Sequence, residues 1–169
     1  MTQARTGSPL TRLRQRVRGR EDSEHAQALV RLIIVAVLSG YYLIVYQTGG
    51  IDAGAFAVAG VVSAGYLLLS VVYIALILIW PRPSPPRRLA AMATDITTLS
   101  VYMALGGAWG AALYPVYLWI TLGNGFRFGV RYLAASAAMS LVGFVAVIVI
   151  GPYWTWHERI ELYGLAAGL

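Results

Sequence analysis

Long apolar runs, separated by short polar or proline- and glycine-rich breaks, dominate the pattern of this chain. The runs predict helices over about 24–47, 54–80, 88–106, 110–123 and 130–151. Most of these reach the roughly 20 residues that a helix needs to cross a bilayer, and the fourth is short for a span. Residues 158–169 are typical of the first turns of another helix. The pattern therefore predicts an all-α, polytopic integral membrane protein with five full transmembrane helices and the start of a sixth.

The breaks between the runs have recognisable causes. Four prolines within 81–88 exclude helix there and predict a stiff loop. Glycines predict a tight turn at 106–110 and a break of the fourth helix at 123–129. The fifth helix ends at Gly151-Pro152, where an aromatic stretch is typical of a membrane interface.

The composition is typical of a membrane protein and limits the kinds of partner that the chain is expected to bind. Hydrophobic residues make up 59% of the chain and charged residues only 12%, against about 25% in a typical soluble domain. Cysteine is absent, so the sequence offers no disulfide framework and no thiolate metal site. The net charge of +6 lies mostly next to the membrane, which favours anionic lipid over nucleic acid as its partner.

The arginines predict a topology. All 13 basic residues are arginine, and 12 of them lie in residues 1–31, the 81–88 loop or the 124–131 loop. The connections at 48–53, 106–110 and 152–158 carry none. Because basic residues concentrate on the cytoplasmic side of the inner membrane, this alternation predicts a cytoplasmic N-terminus.

The chain divides into a short basic segment, residues 1–27, and a multi-pass region, residues 28–169. Leu10, Leu13 and Val17 fall on one stripe flanked by arginines, which is typical of an amphipathic helix lying on the membrane surface. A disordered basic tail remains an alternative.

The end of the basic segment holds an unusual mixture of charges. Three of the chain's seven acidic residues lie between Glu21 and Glu24, next to an arginine and a histidine. Helix capping and the helix dipole account for Asp22, Ser23 and Glu24. They do not account for His25 and Gln27 beside Arg20. Cationic side chains and the free amides of a helix start can hold an anionic head group, and the adjacent bilayer can hold an apolar tail. A fatty acid has both parts, so it is the ligand class that fits.

A second candidate is the carboxylate of Asp95, about two turns into the third predicted helix. A carboxylate at membrane depth is costly and is usually paired or functional. The sequence offers Arg88, Arg127 and Arg131 as partners. A structural ion pair and a signal-relay or ligand role both remain open for Asp95. Three residues in or next to the glycine-rich break are further relay candidates: Asn124, Arg127 and Arg131.

Two stretches, residues 8–31 and 117–133, together with Gly151-Pro152-Tyr153-Trp154, resemble the membrane input region of the RpfC family of hybrid sensor histidine kinases. The resemblance covers nearly the whole chain. It implies a receptor for cis-2-unsaturated fatty acids (the diffusible signal factor class) coupled to autophosphorylation. Carried across, the signal contacts fall on Arg20, Asp22, Ser23, Glu24, His25, Ala26 and Gln27.

The same resemblance implies partners that this stretch does not itself supply. A homodimer, a downstream response regulator, and ATP with magnesium as cofactors would belong to kinase domains following residue 169. No cofactor, metal or catalytic residue is expected within the chain. The family picture places the basic segment in the periplasm, whereas the arginine distribution places it in the cytoplasm.

The sequence thus predicts the sensory region of an inner-membrane sensor kinase. In this hypothesis Arg20 and His25 hold a fatty-acid carboxylate, and Ser23 and Gln27 add hydrogen bonds. The acyl chain lies along the top of the first helix and the apolar stripe of Leu10, Leu13 and Val17. Two alternatives stay open: a small transporter that uses Asp95, and a membrane interaction module without a small-molecule ligand.

Overall fold

A computed structural model describes residues 24–80, 82–151 and 153–154, with side chains from Val30 onward. The regular secondary structure of this part of the chain is all helix, which confirms the predicted class. The basic amphipathic segment and the predicted sixth helix lie outside the described residues. The five described helices are α1 (Glu24–Gln47), α2 (Ala53–Ile79), α3 (Pro85–Ala111), α4 (Tyr114–Phe128) and α5 (Val130–Ile150).

Helices α2 and α3 begin at residues suited to a helix start. The side chain of Asp52 caps α2, its Oδ1 accepting from the backbone N–H of Ala55 at 2.9 Å. Helix α3 begins at Pro85, three residues before its predicted start. The prediction of a loop throughout 81–88 was wrong, because proline in the first turn of a helix loses no hydrogen bond.

Helix α3 also continues past its predicted end. Gly107 has φ 53° and ψ −124°, and the chain resumes one further helical turn to Ala111. The tight turn predicted at 106–110 is therefore a kink within α3. Glycine permits this kink because it lacks the Cβ that penalises positive φ.

Helix α4 continues through most of the glycine-rich stretch 123–129 and breaks only at its far end. It runs through Gly125 and ends at Phe128, and the chain turns at Gly129, where φ is 92°. A Cβ on Gly125 would lie 2.8 Å from Leu133. The glycine thus lets α5 pack closely against α4, and this contact, which the sequence pattern does not show, offsets the low helix propensity of glycine.

Helix α3 lies at the centre of the described bundle and packs against each of the other four helices. Its buried side chains include Met92, Leu99, Tyr102 and Met103. Helix α2, by contrast, exposes most of its large apolar side chains, and this surface is suited to contact with lipid. The core therefore forms around α3.

Among the described residues, four helices are long and apolar enough to cross a membrane: α1 from Val30, α2, α3 and α5. Helix α4 has 15 residues, fewer than the roughly 20 that a span needs. The multi-pass character is confirmed, whereas the count of five full spans and a sixth stays a prediction.

Candidate functional site

The most distinctive polar feature of the bundle is an ion pair between α1 and α3. The guanidinium of Arg31 donates from Nε to Asp95 Oδ1 at 2.8 Å and from one terminal nitrogen to Oδ2 at 3.0 Å. Arg31 is only 4% exposed. The two-pronged contact uses the planar fork of arginine, which fixes the relative position of the two helices.

Helix α2 contributes a third group to this pair. The hydroxyl of Tyr66 donates to Asp95 Oδ1 at 2.8 Å. The Arg31 guanidinium also lies over the ring of Tyr73, 5.3 Å from its centroid, and the Tyr73 hydroxyl is 3.0 Å from that of Thr94 on α3. We call Arg31, Asp95 and Tyr66 the polar triad; it joins α1, α2 and α3.

The charged members of the polar triad stabilise the fold only when both are present. A charge buried at membrane depth is costly unless it is paired and hydrogen-bonded. In the triad both carboxylate oxygens of Asp95 accept hydrogen bonds, and the two opposite charges neutralise each other. Removal of either charged partner would leave the other buried and uncompensated.

The predicted partners of Asp95 were wrong. Arg88 instead lies 4.4 Å from the ring centroid of Phe128 and 5.9 Å from that of Tyr132, so it joins the start of α3 to the α4–α5 turn. Arg131 is exposed at the start of α5. Sequence reasoning counted Arg31 with the N-terminal arginines, although its position eight residues inside a predicted helix could have marked it as a buried partner.

Asn124, a predicted relay residue, is buried at the α4–α5 contact. Its side-chain nitrogen donates to the carbonyl of Ile120 at 2.8 Å and lies 3.5 Å from the hydroxyl of Ser136. One turn earlier, Thr121 and Ser140 place their hydroxyls 3.1 Å apart. These contacts give Asn124 a packing role between two helices, and a relay role stays a prediction.

Beside the polar triad lies a crevice between α1 and α4, with α3 as its floor. Its volume is about 60 Å³. Arg31, Asp95 and Tyr66 lie at its wall together with Asn124 and Arg127. Its remaining lining is largely apolar: Val30, Ile34, Val35, Leu38, Thr98, Leu99, Val116, Trp119, Ile120 and Gly123. The crevice thus brings together three of the four predicted relay residues: Asp95, Asn124 and Arg127.

The predicted signal contacts are not placed by the structure. Arg20, Asp22 and Ser23 lie outside the described residues, as do the side chains of the remaining contacts: Glu24, His25, Ala26 and Gln27. The backbone of α1 is helical from Glu24, so Gln27 is one helical turn before Arg31 on the same helix. The predicted helix over 24–47 is confirmed.

These features define a class: a helical, multi-pass membrane region whose transmembrane helices are joined by a buried ion pair. No protein-family model matches the chain, and no solved structure matches it. The chain is 39% identical over 162 residues to the sensory/regulatory protein RpfC of two strains of Xanthomonas campestris pv. campestris.

That match covers 96% of this chain and 22% of each relative, so the chain spans about a fifth of the length of the curated relatives it matches. Over this stretch the chain is related in sequence to the RpfC proteins. The relationship, together with the four apolar helices, supports a multi-pass location in the bacterial inner membrane.

Proposed function

We propose that this chain is the membrane sensory region of a two-component quorum-sensing histidine kinase that responds to a cis-2-unsaturated fatty acid. The similarity to RpfC along 96% of the chain carries this proposal. The kinase reaction, its ATP and magnesium, the response regulator and the homodimer would belong to further domains of the whole protein.

The signal would be received at the end of the basic segment. Arg20 and His25 would hold the carboxylate, while the Ser23 hydroxyl and the Gln27 amide would donate hydrogen bonds to it. Asp22 and Glu24 would favour the helix start. The acyl chain would enter the adjacent apolar layer, where its burial contributes most of the affinity.

The bundle offers a route for the signal beyond this segment. Helix α1 is continuous from Glu24 to Gln47 and carries Arg31 of the polar triad. A shift or rotation of α1 would therefore act directly on Asp95 of α3 and Tyr66 of α2. Because α3 packs against the other four described helices, a displacement there would be transmitted through the bundle.

The arrangement of Asp95 argues against the transporter alternative. A carboxylate that carries an ion or proton across a membrane must release its partners in turn. Here both oxygens of Asp95 accept from Arg31, and Oδ1 also accepts from Tyr66. The arrangement is typical of a fixed structural or coupling pair.

A thermal-unfolding titration of the detergent-purified chain tests the proposal. The ligands are a cis-2-unsaturated fatty acid, its trans isomer and its saturated analogue at equal chain length. We expect saturable stabilisation that is largest for the cis acid, since ligand bound only to the native state raises its stability. All three ligands are amphiphiles in the same detergent, so the difference between isomers reports specific binding.

The double variant Arg20→Ala/His25→Ala tests whether the fatty acid binds at the end of the basic segment. We expect it to lose the preference for the cis acid, while Arg12→Ala, which removes one charge from the same basic segment, should keep it. Equal shifts for all three acids in the parent chain would contradict the proposal and favour an interaction module without a small-molecule ligand.

A further inference from the structure

An apolar groove runs along the face of α3 opposite the crevice. Asp95 and Leu99 of α3 line the crevice, whereas Thr97, Val101 and Ala104 line the groove. Among the residues that the structure describes, α3 and α5 form its two walls. The groove has a volume of about 700 Å³, so it is a large depression between two neighbouring helices.

The lining of the groove is suited to contact with a helix. An added Cβ on Gly143 of α5 would lie 2.6 Å from the hydroxyl of Ser100 on α3, so the two helices meet closely and form a floor. Ala93 and Ala146 line the walls, and Thr97 adds an exposed hydroxyl. Small and hydroxyl-bearing side chains of this kind favour helix packing in membranes, in contrast to the large apolar side chains that α2 exposes.

The chain leaves the described bundle beside one end of this groove. Helix α5 ends at Ile150, which lines the groove. Four residues later the indole of Trp154 donates to the carbonyl of Met103 on α3 at 3.2 Å. Met103 is next to Ala104 of the groove lining. The residues that follow Trp154 therefore start where the groove begins.

The packing of α5 limits where a following helix can lie. Consecutive helices joined by a short connection usually pack side by side and antiparallel. Helix α5 already packs against α4 and against α3. The groove is the remaining flank of α5 that also offers contact with α3, and a short connection from Trp154 would reach it.

The predicted helix over 158–169, which lies outside the described residues, matches the groove in length and in polarity. From Ala93 to Leu105 the groove extends about 18 Å along α3, and a helix over 158–169 would extend about 17 Å. Residues 162–169 carry no charge. Gly164 and Gly168 have the four-residue spacing that allows close contact between helices.

We propose that residues 158–169 dock as a helix in the groove between α3 and α5. The docked segment would contact α3 at Thr97, two residues from Asp95 of the polar triad. A displacement of α3 would therefore move this segment directly. The docking does not require a bound ligand, so it can be tested separately from the response to a fatty acid.

Introduced cysteine pairs test the docking, because the chain contains no cysteine of its own. Thr97→Cys is combined with a cysteine at each position from 162 to 169 in turn, and the full chain is oxidised in phosphatidylcholine vesicles. We expect disulfides within one copy at positions three to four residues apart, as one face of a helix would give. Mass spectrometry of the linked peptides identifies them.

Leu68→Cys, on the exposed face of α2, is the control and should form no such pattern with the same positions. Equal disulfide yields for Thr97→Cys and Leu68→Cys would overturn the proposal. A dimer formed by Thr97→Cys alone, seen on non-reducing electrophoresis, would assign the groove to a second copy of the chain and overturn it as well.

A filled groove provides a second test. Val142 and Val145 are both exposed on α5, and only Val142 lines the groove. Val142→Trp should lower the disulfide yield of the best Thr97→Cys pair about tenfold, because the larger side chain occupies the space of the docked segment. Val145→Trp should leave the yield unchanged. Equal yields in the two variants would contradict docking in this groove.

Discussion

The two ends of the bundle are held together by different chemistry. At the end with the arginine-rich connections, α1, α2 and α3 are joined by Arg31, Asp95 and Tyr66. At the opposite end, aromatic side chains make the contacts, both with one another and with buried backbone carbonyls of α3. The hydroxyl of Tyr42 donates to the carbonyl of Tyr102 on α3, and the two rings meet edge to face with centroids 4.6 Å apart.

The kink in α3 is part of this second arrangement. At Gly107 the backbone leaves the helical conformation, and the carbonyl of Met103, four residues earlier, accepts a hydrogen bond from the indole of Trp154 at 3.2 Å. The Trp154 ring also packs edge to face against Phe144, 6.0 Å away. A backbone group that a straight helix would satisfy internally is used to join two segments.

The difference between the ends has a physical consequence. An ion pair is sensitive to the loss of one partner and tolerant of the loss of both. A close-packed end with few charges is sensitive to added volume and to the loss of single hydrogen bonds. The contacts at the polar end would therefore respond to a displacement of α1. The contacts at the aromatic end fix the relative positions of the helices.

The largest expected effect is at the polar end. Asp95→Leu should lower the free energy of unfolding by about 3–5 kcal/mol, because it leaves the charge of Arg31 buried and unpaired. Reversible unfolding in mixed detergent micelles, followed by circular dichroism, measures it. The double variant Arg31→Met/Asp95→Leu should recover most of the loss. A double variant less stable than either single variant would contradict the account of the triad.

At the aromatic end, Gly110→Ala should cost about 2 kcal/mol. An added Cβ would lie 2.3 Å from the backbone carbonyl oxygen of Met103, which cannot move without disturbing the kink. Gly60→Ala, with no atom within 4 Å, is the matched control and should be neutral or slightly stabilising. The same unfolding assay compares the two, and equal stabilities would remove the argument for close packing here.

A smaller loss of stability is expected when Tyr66 of the polar triad is changed. Tyr66→Phe removes one hydrogen bond to Asp95 and leaves the two-pronged contact with Arg31 in place, so we expect a loss of about 1.5 kcal/mol. In the Arg31→Met/Asp95→Leu background the same change should cost nothing or stabilise, since the Tyr66 hydroxyl would no longer have its carboxylate partner. Equal costs in both backgrounds would show that Tyr66 acts independently of the triad.

The smallest effect is expected for Trp154→Phe. It keeps an aromatic ring against Phe144 and removes the indole N–H that donates to Met103. The expected loss is about 1 kcal/mol, typical of one neutral hydrogen bond. Trp119→Phe provides the control, because Trp119 is 55% exposed. Equal changes in midpoint for the two variants would argue against the Met103 contact.

Apolar periodicity predicted where the helices lie more reliably than where they end. The ends of α1, α2 and α5 follow the apolar runs within about one residue. Errors concentrated at Pro85, Gly107 and Gly125, which sequence rules treat as breaks. Each is tolerated for a local reason: a first-turn position, a kink, and a close contact with α5.

The sequence by itself determined the membrane-embedded, helical character of this protein. Some 20 apolar residues in a row have few other stable arrangements in lipid, where backbone groups must be bonded internally. It also singled out Asp95, since an isolated carboxylate in such a run is costly. Only the tertiary structure decided that its partner is Arg31. All the candidate arginines carry the same charge, and helix packing alone selects the one whose guanidinium reaches Asp95.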